Sequence, residues 1–163
     1  MLKTLLYLAL GPFLLLSPNA YCCMSGLEIQ SFHPPFSVQE EKGLSQKQFH
    51  HILNQFEDLY LPLFKEKGAR FIIHRHWTSP KVNARAKREG KKWIIEMLGG
   101  FARHPLVTAD AFRLLICHEI GHHLAGSPYY PAPIEWSSAE GEADYWSTLK
   151  CTRRIWKEED NLE

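Results

Sequence analysis

The segment from Thr108 to Gly126 constrains the fold more than any other part of the chain. Thr108 is a preferred helix N-cap residue and Gly126 a preferred helix stop, and between them apolar residues recur at three- and four-residue steps. This spacing predicts a helix with one face in the core. Two histidines, His118 and His122, fall in the same segment. Because a buried imidazole without a partner is costly, the fold must supply partners for both.

Residues 118–122 have the pattern H-E-x-x-H. Because successive helix positions are about 100° apart, His118 and His122 project from one face and can hold a single Zn²⁺ ion at about 2.0–2.1 Å. Glu119 lies beside this pair, so it is suited to take a proton from a metal-activated water. The pattern predicts one zinc ion per chain, with the two histidines as ligands and Glu119 as general base.

An acidic pair follows the Pro-rich loop over 127–133. Glu140 and Asp144 are four residues apart, so they share one face of a second predicted helix. One of the two carboxylates can complete the metal shell. The other can accept the spare N–H of a liganding imidazole and so fix its orientation.

The remaining patterns predict a further helix and a small sheet. Ser45 and Gln48 form a capping box, and the apolar spacing after them predicts an amphipathic helix that ends near Gly68. The other expected elements are a strand over 70–77 and a hairpin made of an edge strand over 81–86, a turn at 87–90 and a strand over 93–98. We expect an α+β domain in which this antiparallel hairpin or small sheet packs on the two helices of the motifs.

Composition indicates one domain with no dominant charge. The chain has 163 residues, 45% of them hydrophobic, and a net charge of +1. This balance excludes the broad positive field of a nonspecific nucleic-acid binder, so we expect no nucleic-acid partner. We also expect a monomer. The cations over 81–92 are interpreted as a solvated sheet edge, with a site for an acidic substrate as the alternative.

The N-terminus has the order of a secretory signal peptide: Lys3, an apolar run over 5–16, then small and polar residues. The apolar run is shorter than the ~20 residues of a membrane-spanning helix. The expected divisions are a signal peptide over 1–22, an extended tail over 23–43 and a folded domain over 44–163. We expect an exported protein, periplasmic or secreted, without a mature membrane span.

Cysteine use leaves several alternatives open. A lipid anchor at Cys22 or Cys23 is the alternative to simple cleavage of the signal peptide. In an exported chain the cysteines can also form disulfides, but the sequence does not choose among the pairings of Cys22, Cys23, Cys117 and Cys151.

The motifs His118-Glu119-x-x-His122 and Glu140-x-x-Ala143-Asp144 together resemble those of gluzincin metallopeptidases, specifically the HtpX-type heat-shock proteases and CAAX prenyl proteases. The segment over 82–86 is similar to the edge strand with which that family pairs substrate backbone. The resemblance extends over residues 70–155.

This resemblance implies a zinc-dependent endopeptidase with a small zincin-like α+β fold and a peptide or protein substrate. The implied roles are metal ligation by His118, His122 and Glu140, proton transfer by Glu119, orientation of an imidazole by Asp144, and substrate binding along Asn83 and Ala84. The short segment between His122 and Glu140 carries no membrane span, so the chain is most similar to the soluble, minimal form, the minigluzincin type.

Two questions stay open at this level. The reaction needs a donor to the oxyanion, and the candidates are Tyr129, Tyr130, His74, Arg153 and Arg154. The alternative to a constitutive peptidase is an exported zinc-binding interaction protein, or a latent gluzincin whose tail over 24–43 covers the cleft.

Overall fold

The computed structural model describes residues 43–157. The predicted signal peptide with Cys22, the predicted tail up to residue 42 with Cys23, and residues 158–163 lie outside the described residues. Within the described range the elements are α1 (Gln46–Glu66), β1 (Arg70–His76), β2 (Ala84–Glu89), β3 (Lys92–Leu98), α2 (Gly99–Ala102), α3 (Ala109–Leu124), α4 (Glu140–Trp146), a π-helical turn (Ser147–Cys151) and α5 (Thr152–Ile155). None of these helices has the length and apolar character needed to cross a membrane.

The three strands form one mixed sheet in the order β1, β3, β2. β2 and β3 are the predicted antiparallel hairpin, and β1 pairs with the other side of β3 in parallel. The α+β class is therefore confirmed in its coarse form, as a small mixed sheet with helices. The sequence did not predict the direction of β1, and its parallel pairing was therefore not expected, because alternation along a strand carries no information about strand direction.

The hairpin also differs from the prediction in its bounds. β2 begins at Ala84 and continues to Glu89, which pairs with Lys92 of β3. The predicted turn at 87–90 is wrong, since the turn consists of Gly90 and Lys91, and Gly90 has a φ of 59°. Glycine adopts this left-handed conformation without steric cost, so two residues suffice for the turn and the charged residues before it stay in the strand.

Helix α1 starts with the predicted capping box. The Gln48 N–H donates to Oγ of Ser45 at 3.3 Å, and the Ser45 N–H donates to Oε1 of Gln48 at 2.9 Å. The apolar face of α1 packs on β1, where the rings of Phe64 and Phe71 stack with centroids 4.2 Å apart. This contact covers one part of the inner face of the sheet.

Helix α3 packs on the rest of the same core. It begins at the predicted N-cap, where Oγ1 of Thr108 accepts the Ala111 N–H at 3.1 Å. Phe112 and Ile116 are fully buried in the cluster that includes the inner face of the sheet, and each such side chain contributes about 1.5–3 kcal/mol of burial. The flank of α3 that carries the histidines is thereby held at a defined place beside the core.

Candidate metal centre

The two histidines of the H-E-x-x-H motif lie side by side on α3. The Nε2 atoms of His118 and His122 are 3.0 Å apart, and the rings have an interplanar angle of 88°. His122 is fully buried, whereas the side chain of His118 keeps 15% of its surface exposed. Two imidazole nitrogens thus face one point at the margin of the core.

Glu140, the first residue of α4, completes this arrangement. Its Oε2 atom lies 3.0 Å from Nε2 of His118 and 3.7 Å from Nε2 of His122. In a tetrahedral zinc site with bonds near 2.1 Å, two ligand atoms are about 3.4 Å apart. The separations among Oε2 of Glu140 and the two Nε2 atoms, 3.0, 3.0 and 3.7 Å, lie on both sides of this value. Two imidazoles and one carboxylate are also the donor set of a catalytic zinc site. The residues present therefore fit a zinc ion.

The second nitrogen of each imidazole is held by a neighbour. Nδ1 of His118 donates to Oδ1 of Asp144 at 2.8 Å, and Nδ1 of His122 donates to the carbonyl oxygen of Ser138 at 2.9 Å. Such bonds fix the ring orientations, so that both Nε2 atoms face Oε2 of Glu140. Asp144 is thus hydrogen-bonded to one of the two imidazoles, as the sequence led us to expect of one carboxylate of the acidic pair. The Ser138 contact uses a backbone oxygen that no sequence pattern identifies.

Opposite charges meet at this centre. Burial by itself lowers the pKa of His118, but the carboxylate of Glu140, followed by that of Glu119, outweighs it and raises this pKa to about 9. The hydrogen bond with His118 is the largest influence on Glu140 and lowers its pKa to about 2, against an opposing effect of burial. With this pKa the His118 ring carries a proton at neutral pH, and a metal ion at its Nε2 atom would displace that proton.

Glu119 belongs to the same charged centre but is buried. Only 1% of its surface is exposed, and its negative charge acts on His118. Glu119 follows His118 directly and lies about 100° further round α3. The Glu119 carboxylate is therefore close enough to influence the charge of the His118 ring.

Two features hold the second half of the site against α3. A Cβ atom at Gly121 would lie 2.9 Å from the carbonyl oxygen of Ala143, so glycine permits a close approach of α3 and α4. A disulfide joins Cys117 to Cys151, with Cα atoms 5.6 Å apart. The sequence left this pairing open, and the structure ties the residue before His118 to the π-helical turn that follows α4.

The loop between α3 and α4 adds a tyrosine to the centre. The hydroxyl of Tyr130 donates to Oε1 of Glu140 at 2.8 Å. The loop backbone is fixed, since the Tyr130 N–H donates to the Ser137 carbonyl at 2.9 Å and the Ser138 N–H donates to the His122 carbonyl at 3.0 Å. The sequence offered Tyr130 only as an oxyanion donor, and the structure places its hydroxyl on a ligand candidate.

The other oxyanion candidates are spread over the molecule. Tyr129 is 53% exposed in the loop between α3 and α4. His74 lies on β1, on the sheet face opposite to the buried Ile73. Arg153 and Arg154 lie on α5. The structure thus distributes these four residues among the loop, the sheet and the last helix and does not bring them together.

Asn83 and Ala84 lie at the start of the edge strand β2. The Asn83 side chain accepts the Ala84 N–H at 2.8 Å, and Asn83 is exposed while Ala84 is buried. β2 packs on α3, and its outer edge has no strand partner among residues 43–157. Backbone groups at such an edge are able to pair with a further strand.

A second group of potential ligands lies on the sheet, where His74, His76 and Glu96 have ligand atoms within 4.8 Å of one another. However, Oε1 of Glu96 lies 2.9 Å from Nζ of Lys87, and Oε2 lies 2.5 Å from Nε of Arg85. Burial by itself raises the pKa of Glu96, but these two cations outweigh it and lower this pKa to about 2. We interpret this group as an ion-pair network and not as a metal site.

An aromatic cluster that the sequence analysis missed fastens the hairpin to the end of α3. The guanidinium of Arg88 lies 3.3 Å from the centre of the Trp93 ring, and its Nη2 donates to the His123 carbonyl at 3.1 Å. The His123 ring stacks on Trp93 and Trp136. Burial lowers the pKa of His123 to about 3, so this histidine is neutral. In the sequence, this cluster is marked only by one arginine and two tryptophans on either side of the H-E-x-x-H motif. Their spacing is not distinctive, so the sequence does not predict the cluster.

These contacts correct the interpretation of the cations over 81–92 as a solvated edge for three of the six, whereas Lys81, Lys91 and Lys92 are exposed as that interpretation expects. Arg85 and Lys87 are paired with Glu96, and Arg88 is stacked on tryptophan. The alternation of β2 places two of these cations on one face beside a buried carboxylate, so they form ion pairs and are not simply solvated.

Comparisons with known proteins identify no relative of this chain. No protein-family model matches the chain, and no curated protein or solved structure is significantly similar to it. The interpretation of the centre therefore depends on its geometry and its donor atoms.

Proposed function

We propose that this protein is a zinc-dependent endopeptidase. The observation that carries the proposal is the convergence of Glu140 Oε2 with the Nε2 atoms of His118 and His122. These atoms come from two different helices, and each imidazole is oriented through its Nδ1. Donors oriented in this way by outer hydrogen bonds are typical of zinc hydrolases.

The reaction assigned to the centre is hydrolysis of a peptide bond. A bound zinc ion supplies Lewis acidity, which polarises a carbonyl and lowers the pKa of water. Glu119 takes the proton of the attacking water and later delivers it to the leaving amine. Asp144 keeps the His118 ring in place while this happens. The side chain of Glu140 is 48% exposed, so the centre is reached from solvent.

The substrate in this proposal is an extended segment of a peptide or protein. Because β2 is an edge strand packed on α3, a peptide that adds to its outer edge lies beside the helix that carries two ligands. Asn83 and Ala84 mark the beginning of this edge. Arg85 and Lys87 are already paired with Glu96, which argues against selection of acidic substrates by these two cations.

The class that we propose for the domain is a zincin-like fold of the minimal gluzincin type. In favour of it are a helix with two ligands, a second helix with the third ligand, and an edge strand on a small sheet. The proposal includes export, with a lipid anchor at Cys22 or Cys23 as the alternative, and a monomeric state. The disulfide between Cys117 and Cys151 supports export, since disulfides persist in oxidising compartments.

The substitution Glu119→Gln tests the mechanism. It keeps the side-chain size and removes the proton acceptor, so zinc should still bind while cleavage of a peptide library falls by about 10²–10⁴-fold. Zinc content is measured by elemental analysis and cleavage by mass spectrometry. Glu142→Gln is the matched control, because Glu142 lies on α4 and has no part in the proposed reaction.

Full activity of the Glu119→Gln protein on a substrate that the wild type cleaves would contradict the mechanism. A wild-type protein that binds one zinc ion but cleaves nothing in the library would favour the interaction protein or the latent form.

A further inference from the structure

Glu140 differs from the two histidines in how firmly its surroundings hold it. Its side chain is 48% exposed in the first turn of a seven-residue helix, whereas His122 is fully buried. An exposed glutamate has many rotamers, and its carboxylate has two oxygens that can both reach a metal. A defined metal site therefore needs a neighbour that holds this carboxylate.

That neighbour is Tyr130. Its hydroxyl donates to Oε1 of Glu140 at 2.8 Å, while Oε2 of the same carboxylate faces Nε2 of His118 at 3.0 Å. The Tyr130 ring is half-buried against the core, and its N–H donates to the Ser137 carbonyl. The phenol is thus a fixed point from which one oxygen of the carboxylate is held and the other is directed to the histidines.

The charge of this donor matters as well as its position. On the sheet, Glu96 is held by Lys87 and Arg85, and these cations compensate its negative charge. Tyr130 is a neutral donor, so it adds no positive charge beside Glu140. The other partner of this carboxylate is His118, whose proton a metal ion at Nε2 would displace. A neutral donor can orient a metal ligand without competing with the metal.

We propose that Tyr130 is a positioning residue that commits Glu140 to the metal through a single oxygen. This inference rests on the proposed zinc site and assigns a task to the loop between α3 and α4. With Oε1 held by the phenol, Glu140 leaves room at the metal for solvent and substrate, which zinc hydrolases require.

Tyr130→Phe tests this role, since it removes only a hydroxyl from a half-buried ring. The zinc dissociation constant, measured by competition with a chromophoric chelator, should rise about 10-fold, as on loss of other partners of metal ligands. The visible absorption of the Co²⁺-substituted protein should weaken, because a released Oε1 adds a ligand and four-coordinate Co²⁺ absorbs most strongly. A purely structural role would alter unfolding of the metal-free protein and leave this spectrum unchanged.

Tyr145→Phe is the matched control. Tyr145 is 60% exposed on α4 beside Asp144, so the loss of its hydroxyl should leave zinc affinity unchanged. If Tyr130→Phe matches the wild type in zinc affinity and Co²⁺ spectrum, the inference is overturned while the proposed function stands. If the wild-type protein does not bind zinc, the proposed function is overturned, and this inference with it.

Discussion

Two clusters in this protein contain the same types of side chain. The helix cluster and the sheet cluster each combine two histidines with one glutamate, and in each the possible ligand atoms lie within 4.8 Å of one another. Their members are His118, His122 and Glu140 in the helix cluster, and His74, His76 and Glu96 in the sheet cluster. Residue types and proximity alone therefore do not tell which of the two can bind a metal ion.

The clusters differ in the neighbours of the carboxylate. In the sheet cluster both oxygens of Glu96 are engaged by cations, one by Lys87 and the other by Arg85. In the helix cluster one oxygen of Glu140 faces two imidazoles and the other accepts a hydrogen bond from the neutral Tyr130. Lys87 and Arg85 keep their positive charges in the presence of a divalent ion, whereas a metal ion at Nε2 of His118 would displace the proton that pairs with Glu140. The counter-charges therefore distinguish the two clusters.

Exchange of one carboxylate in each cluster gives the largest expected difference. Glu140→Gln removes an anionic ligand, so zinc affinity should fall by more than ~100-fold. That factor is the upper end of the loss on removing a hydrogen-bond partner of a metal ligand. Glu96→Gln leaves the helix cluster intact and should still bind one zinc ion. Titration calorimetry with zinc measures both variants. If the wild type binds a second zinc ion and Glu96→Gln does not, the sheet cluster is also a metal site and the contrast between the two clusters is wrong.

The ion pairs of Glu96 predict a loss of stability in acid. Its pKa of about 2 in the folded protein lies below the ordinary value of 4.5, with Lys87 and Arg85 on β2 and His74 on β1 facing it. This lowered pKa contributes about 3 kcal/mol to the free energy of unfolding. The contribution is present above pH 4.5, the ordinary pKa, and is lost as the pH falls towards about 2, the pKa in the folded protein. Urea unfolding of wild type and Glu96→Gln at several pH values measures it. The two stabilities should converge in acid, and a constant difference would contradict the prediction.

A single methyl group at the helix cluster should have the smallest effect. In Gly121→Ala the new Cβ meets the backbone of Ala143, so we expect a loss of about 1–3 kcal/mol and weaker zinc binding. In Gly141→Ala, the matched control, the new Cβ has no heavy atom within 4 Å, and alanine is the better helix former. Urea unfolding of the metal-free proteins compares them. Equal stabilities would show that the close approach of α3 and α4 is not needed.

The helix starts were predicted well, because the residues that define them are only a few positions apart in the sequence. α1 and α3 begin at the predicted caps Ser45 and Thr108, because capping hydrogen bonds join groups only three residues apart. The parallel pairing of β1 with β3 and the continuation of β2 to Glu89 were not predicted. Strand direction and register depend on partners that are distant in sequence or on the conformation of one turn residue, here Gly90.

The candidate site divides in the same way. The spacing of His118 and His122 predicts one helix face, since the helical period is local. The choice of Glu140 for the metal position came from the resemblance, because spacing alone left it equivalent to Asp144. Tyr130 as partner of Glu140 depends on the path of a loop, and such a path has no sequence signature.

The sequence by itself determined where the helices begin, which residues share a helix face and which side chains are capable of binding a metal or moving a proton. These properties depend on the chemistry of each residue and on neighbours within one or two turns. Only the tertiary structure decided that Glu96 is neutralised by cations while Glu140 faces two imidazoles. The electrostatic environment of a side chain is set by groups that folding brings from distant parts of the chain, so it exists only once the fold has formed.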